Sequence, residues 1–327
     1  MTQGSRKFFS SLERRFGEFL FVPGSPVALA VLRIIFFGVF LLFFTWYDAL
    51  NRWNDATMKP ATYHPRGLID WLGIGLQSEQ TTNVIFGLYV AGMAMALVGF
   101  FTRAGALMAG ICGVYLYAMP SSFGKIGHGS MIVLFTTFTF ALSRAGDALS
   151  VDAIIRRIRG IAVPGRSGEY TWPIRVVWIF MALIFFATGV AKLRWGGYDW
   201  LFTPHLASTI RQHYLLPEGS APGSPIGLWI ARHEWLCIMS AWLTVFVELF
   251  FPLALVHKWC RLFFVPMMFL LQFGIGFSMG VFFFTFFVCY LFWLPWEIWG
   301  LRSERAGERA IERAMEREMA ERVRLNP

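Results

Sequence analysis

Apolar residues in this chain come in long unbroken blocks separated by shorter polar connections, unlike the stripes of a water-soluble fold. The first block runs from about Val27 to Tyr47, the second from Asn83 to Phe101, a shorter third from Gly105 to Met119, and a fourth from Ser130 to Ser143. A fifth covers Pro173 to about Leu193 and a sixth Trp235 to Val256, while residues 262–299 are apolar throughout but interrupted by Gly274, Gly276 and Gly280. A bilayer-spanning helix needs about 20 apolar residues, so each of the first six blocks reads as one span and the last as two short spans or a broken hairpin. The pattern predicts an all-α polytopic membrane protein with about eight transmembrane helices. It divides into a basic amphipathic lead-in (1–26), a transmembrane domain (27–300) and a charged helical tail (301–327). In that tail Ile311, Met315, Met319 and Val323 recur every fourth residue as one narrow apolar stripe.

The connections are of different kinds. Residues 48–82 mix aromatics with polar groups, as an interfacial loop with a short surface helix does. Pro120–Gly129 is a polar, glycine-rich break, tolerated beside spans where protein or a water-filled cavity surrounds it. Residues 144–172 are basic, and Ser150 is placed to cap a short helix over Val151–Arg159. The longest connection, Arg194–Glu234, is rich in Gly, Pro and His and reads as a loop. With both termini cytoplasmic, about 20 of the 29 Lys and Arg fall inside, the bias that sets membrane orientation. The connections 48–82, 120–129 and 194–234 then face outward.

Composition agrees with this. The chain is 56% hydrophobic and only 15% charged, against roughly 25% in soluble domains, which excludes an ordinary soluble enzyme. The net charge of +9 lies in the short connections, so it points to anionic lipid headgroups and not to nucleic acid. Cys112, Cys237, Cys260 and Cys289 have no metal-ligand spacing and read as buried free thiols. The first block lacks a small-residue cleavage site, so no cleavable signal peptide is expected. The implied location is integral to a membrane, the plasma (inner) membrane in a bacterium.

Ionisable residues inside such blocks are functional candidates by default. Lys192 closes the fifth block four residues after Thr188 and three after Gly189; an ammonium there snorkels to headgroups, pairs, or gives up its proton and becomes a base. His128, between Gly127 and Gly129 in the outward break, falls at the same outer level. The glycines let a ligand approach the backbone closely, and Lys125 lies three residues earlier. Glu248 sits mid-block in the sixth segment, where a carboxyl is either protonated or paired with Arg33 or another buried cation. Arg33 itself is near enough to its block's start to snorkel to the basic side. Asp147 and Asp152 suit capping and loop ordering, and Asp199 an interfacial anchor. His205, His213 and His233 share the long connection without a zinc spacing, so no metal is expected. Gly276 and Gly280 suit close helix packing.

Four stretches carry a family resemblance: Ala28-Leu-Ala-Val-Leu-Arg-Ile-Ile-Phe-Phe-Gly38; His64-Pro-Arg-Gly-Leu-Ile-Asp-Trp71; Gly124-Lys-Ile-Gly-His-Gly129 with Ala141-Leu-Ser-Arg-Ala-Gly-Asp-Ala-Leu-Ser-Val-Asp152; and Thr188-Gly-Val-Ala-Lys-Leu193 with Gly197-Tyr-Asp-Trp-Leu201. Over most of residues 27–300 the chain resembles the HTTM family, the membrane domain shared with vitamin K-dependent gamma-carboxylases. The resemblance implies that Lys192 is the base that deprotonates a reduced quinone of the vitamin K or menaquinone type, with His128 in the same site. Dioxygen then oxidises the quinol to an epoxide, and carbon dioxide adds to a glutamate carbanion, a carboxylase (lyase) reaction. Lys125, Gly127, Gly129 and Gly189 would line the substrate site, with Glu248, Gln272 and Asp199 in support. Gln272 stands where many relatives carry His, and the Arg/Glu tail stands where the carboxylases carry a large soluble domain. The alternative is a non-catalytic membrane accessory or binding module for a lipid, a quinone, a secreted peptide or a partner protein. A transporter is a weaker third option, since no inverted repeat pattern is evident.

Overall fold

The computed structural model describes residues 13–43, 63–123, 129–162, 165–215 and 224–296. Among these residues no strand occurs; a single isolated bridge joins Gly24 and Ser167. Helices α1 (Pro26–Phe43), α2 (Glu79–Val98), α3 (Thr102–Ala118) and α4 (Gly129–Leu142) match the first four apolar blocks to within a few residues. The Ser78 hydroxyl accepts the Thr81 N–H to start α2, and Gly99 ends it in the left-handed region at φ 73°. α2 and α3 then pack backbone to backbone. A Cβ on Gly92 would stand 2.7 Å from both the Gly105 carbonyl oxygen and the Ala109 nitrogen, so only glycine permits the approach. Ser150 caps α5 (Val151–Ile158) as expected, accepting from the Ala153 N–H.

α6 (Trp172–Ala191) starts with Pro173 in its first turn and runs without interruption through a π-turn, Lys192–Gly196, into α7 (Gly197–Phe202). The connection read as a loop from Arg194 to Glu234 is instead mostly helical: α7, α8 (His205–Leu215) and α9 (Pro225–Arg232). Of the glycines and prolines that suggested a loop, Gly197 stands at the π-to-α junction and Pro225 at the start of α9. Ala207 and Ile210 of α8 bury against Ala231, Cys237 and Met279, so short helices of modest apolarity gain a core of their own. α9 meets α10 (Glu234–Phe250) at a 102° bend. α11 (Lys258–Met279) ends at Gly280, φ 76°, and α12 (Phe284–Tyr290) with a 3₁₀ turn to Trp293 leads back. The last apolar block is therefore a broken hairpin.

Among the described residues, four elements are long and apolar enough to cross a membrane: α2, α3 with its following turn, the continuous segment Gly168–Phe202, and α11. The bent α9–α10 pair makes a fifth, while α1, α4 and the stretch from Phe284 to Trp293 are shorter apolar helices.

Helix ends gather in two layers. At one, here termed the basic end, Asp152 accepts from the Phe101 and Thr102 N–H groups and the Thr102 hydroxyl, capping α3 from another segment. Asp147 binds Arg144, Arg156 and the Tyr170 hydroxyl. Arg33 neither snorkels nor meets Glu248. It is fully buried and donates to the carbonyls of Ala96 at 3.2 Å and Leu149 at 2.6 Å, because α1 passes directly under the α2 terminus. The expected structural roles of Asp147 and Asp152 stand.

Candidate functional site

The site is built where α6 crosses α10. Gly189 sets the distance between them: a Cβ there would lie 3.1 Å from the Glu248 Cβ and from Leu249 Cδ2, closer than nearly all real contacts. One turn further along, Lys192 projects at the same crossing. Its ammonium donates to both carboxylate oxygens of Glu248, at 2.7 and 2.8 Å. The lysine side chain is 23% exposed and the glutamate 9%, so the pair is largely buried, the carboxylate more than the ammonium. Charge-assisted contacts of this length are the strong ones, and in a poorly hydrated setting neither partner is stable alone. Thr188 adjoins the same carboxylate.

The π-turn that begins at Lys192 aims the next helix, α7. π-turns put one extra residue into a helical turn and cluster at functional sites. Here the Gly197 N–H returns to the Lys192 carbonyl, and Gly197 itself adopts φ 50°, ψ −130°, open only to glycine. The shifted register brings the Trp200 ring within 5.8 Å of the Lys192 ammonium. The buried indole N–H of Trp200 has no hydrogen-bond partner among the described residues, and His205 packs against the ring at 5.3 Å. Asp199, exposed on α7, accepts from the Thr203 hydroxyl through its backbone carbonyl and does not join the ion pair.

The remaining expected residues are dispersed. His128, Lys125 and Gly127 lie outside the described residues. Gly129, the next residue along, packs so closely on α12 that a Cβ would meet the Thr285 hydroxyl oxygen at 2.6 Å. Phe135 of α4 stacks on Phe180 of α6 at 3.8 Å, and Tyr170 joins Asp147 at the basic end, so the two helices run antiparallel. Counting six residues each way places Gly129 level with Phe186, roughly a turn and a half below Lys192. The turn Pro120–Phe123 is held by the His64-to-Trp71 stretch: the His64 N–H donates to the Ser122 carbonyl, and Tyr63 packs on Phe123 at 5.4 Å. Burial there pushes the Tyr63 phenol above its ordinary pKa, with Tyr115 adding to the effect.

Gln272 is buried and accepts from the Tyr290 hydroxyl at 3.0 Å, away from the ion pair. His233 Nδ1 pairs with the Trp229 carbonyl at 2.9 Å. No group of three or more His, Cys, Asp or Glu side chains that could hold a metal occurs among the described residues. The sequence left the partner of Glu248 open between Arg33 and another buried cation, and it suggested Trp200 only as an interfacial anchor. The available signal was that Glu248 is the one acid in α10 beyond its first turn, on a segment that also needs a cation.

A family model described as the HTTM domain matches residues 21–297. No curated protein and no solved structure matches.

Proposed function

We propose, for a chain that belongs to the HTTM domain family, that its Lys192–Glu248 pair is the proton-accepting centre for a lipid-soluble quinol. The chain is a multi-pass membrane protein, and the reading places its basic end in the cytoplasm and the Lys192 level toward the outside of the plasma membrane. The observation that carries it is the bidentate contact between Lys192 and Glu248, next to an aromatic ring and largely buried.

The sequence alone suggested a neutral amine as base. The geometry supports a two-residue version. A quinol hydroxyl approaching the ammonium gives its proton to the pair: Lys192 passes one proton to the Glu248 carboxylate and takes up the quinol proton. The ammonium is then restored beside the new quinolate oxygen, and Glu248 is neutral. A fixed cation beside a developing oxyanion in a poorly hydrated site is the strongest general device for such a step. The quinolate is the species dioxygen attacks, and the family resemblance gives His128 a part in the same reaction.

The test is direct. Purified protein supplied with reduced menaquinone or vitamin K hydroquinone should consume dioxygen and form the epoxide. Lys192→Ala and Glu248→Gln should each lower the rate by about two orders of magnitude or more. No turnover with any quinol removes the enzyme reading.

A second reading has one observation in its favour: both charges of the pair are fully satisfied by each other, as in a structural cross-link. In that case the chain is a binding or accessory module, and the pair serves only to hold α6 on α10.

A further inference from the structure

The basic end holds a polar pocket and, beside it, a helix with a bare apolar face. The pocket, of about 240 Å³, lies between the start of α3, the 143–147 turn and the start of α5. Its walls include Arg103, Arg144 and Arg156 together with Asp147 and Asp152. The carboxylates are already spent. Asp147 accepts from Arg144 Nε and the Tyr170 hydroxyl on one oxygen and from Arg156 on the other, and Asp152 takes three donors at the α3 start. Arg103 gives only its Nε–H, to the Ser143 carbonyl at 2.8 Å, so its terminal nitrogens meet no acceptor among the described residues. Three arginines thus face two aspartates, and buried Arg33 adds a further cation close to Asp152. An anion entering the pocket meets net positive charge and planar guanidinium forks, a geometry that suits phosphate.

α5 supplies the second observation. Val151, Ile154, Ile155 and Ile158 recur at helical spacing, yet no residue of the helix is buried: Ile154 is 61% exposed and Ile158 80%. Asp152 and Arg156, on the other flank, tie the helix to the protein, so the exposed isoleucines face away from it. Arg157 and Arg159 are exposed on the same helix. Phe101 and Leu149, at φ 46° and 47° the two residues other than glycine in the left-handed region among the described residues, also expose apolar side chains beside the pocket. A bilayer interface accounts for all of this, burying the isoleucines among acyl chains and setting the arginines at the phosphates. The depth agrees. The pocket sits where α2 ends and α3 begins, and both are long and apolar enough to cross a membrane.

We propose that α5 lies in the leaflet at the basic end, and that the pocket beside it holds the phosphate of one anionic phospholipid. Arg103 and Arg144 donate to the phosphate, and the lipid's chains run along Ile154 and Ile158. The site is separate from the Lys192–Glu248 pair, so quinol turnover plays no part in its test.

The full chain is purified in detergent, and native mass spectrometry follows its retention of phosphatidylglycerol against phosphatidylcholine of matched chains. One phosphatidylglycerol should be retained in preference, and Arg103→Gln should lower its retention about fivefold. Arg103 is exposed and makes one hydrogen bond, so the lipid-free melting temperature of this variant should stay at the wild-type value. Arg157→Gln removes the same charge outside the pocket and should lower retention far less. Ile154→Ser/Ile158→Ser keeps every charge and should weaken retention as well. Equal uptake of the two lipids overturns the inference, and so does an equal loss in Arg103→Gln and Arg157→Gln, the mark of diffuse charge attraction. Displacement by inorganic phosphate would make the pocket a free-anion site instead. Retention indifferent to the isoleucine variant would give the bare face to a partner protein.

Discussion

Each half of the Lys192–Glu248 pair is held at a depth where it is unstable without the other. Deleting one partner strands a charge in poorly hydrated surroundings, a loss of about 3–5 kcal/mol in comparable buried pairs. Lys192→Ala and Glu248→Ala should therefore each lower the melting temperature in detergent clearly. The double variant Lys192→Met/Glu248→Leu should recover much of that loss, because two apolar side chains of similar size need no partner. The same variant separates the two functional readings: a cross-link replaced by packing keeps its cellular role, whereas a proton-accepting centre so replaced is folded and inactive. At this scale the sequence was partly informative. Lys192 and Glu248 each stood out because a charge costs free energy in a span, but their pairing did not, since the α6–α10 register depends on three intervening short helices that the glycines and prolines of 194–234 disguised.

Among the elements, the α6–α10 crossing and the π-turn above it carry the site's geometry. Gly189→Val should force the helices apart, costing about 1–3 kcal/mol and pulling the carboxylate off the ammonium, while Gly189→Ala should be milder. Quinol-dependent oxygen uptake by these two variants would fall in that order. Gly197→Ala meets a different obstacle, a backbone conformation closed to residues with a Cβ, and should cost about 1–3 kcal/mol in thermal stability even though nothing crowds the position. The long spans and the Ser150 cap were legible because block length and capping chemistry are local signals. The π-turn was not: Lys-Leu-Arg-Trp-Gly has no pattern that separates it from an ordinary helix end, and only the tertiary placement of Trp200 reveals it.

Taken as a whole, the molecule is polarised. The basic end collects Asp147, Asp152 and buried Arg33, and the far end carries the short helices α7 to α9. Asp152 holds α3 from across the sequence through three hydrogen bonds, so Asp152→Ala should cost about 1–2 kcal/mol and loosen α2 against α3, visible as earlier thermal unfolding. Of the stretches that carried the family likeness, Ala141–Asp152 holds the basic end together through Asp147 and Asp152, and the Thr188-to-Leu201 stretch frames the ion pair.

The break at Gly280 bears on how the chain enters the bilayer. The return segment from Phe284 to Trp293 reaches only about 15 Å as helix, too little to be recognised and released by the insertion machinery on its own. It must wait for α11 and partition sideways with it as one unit. Compartment-sensitive tags placed in the 257–258 turn and just past Trp296 should then report the same side, and lengthening the 281–283 link should leave that agreement intact.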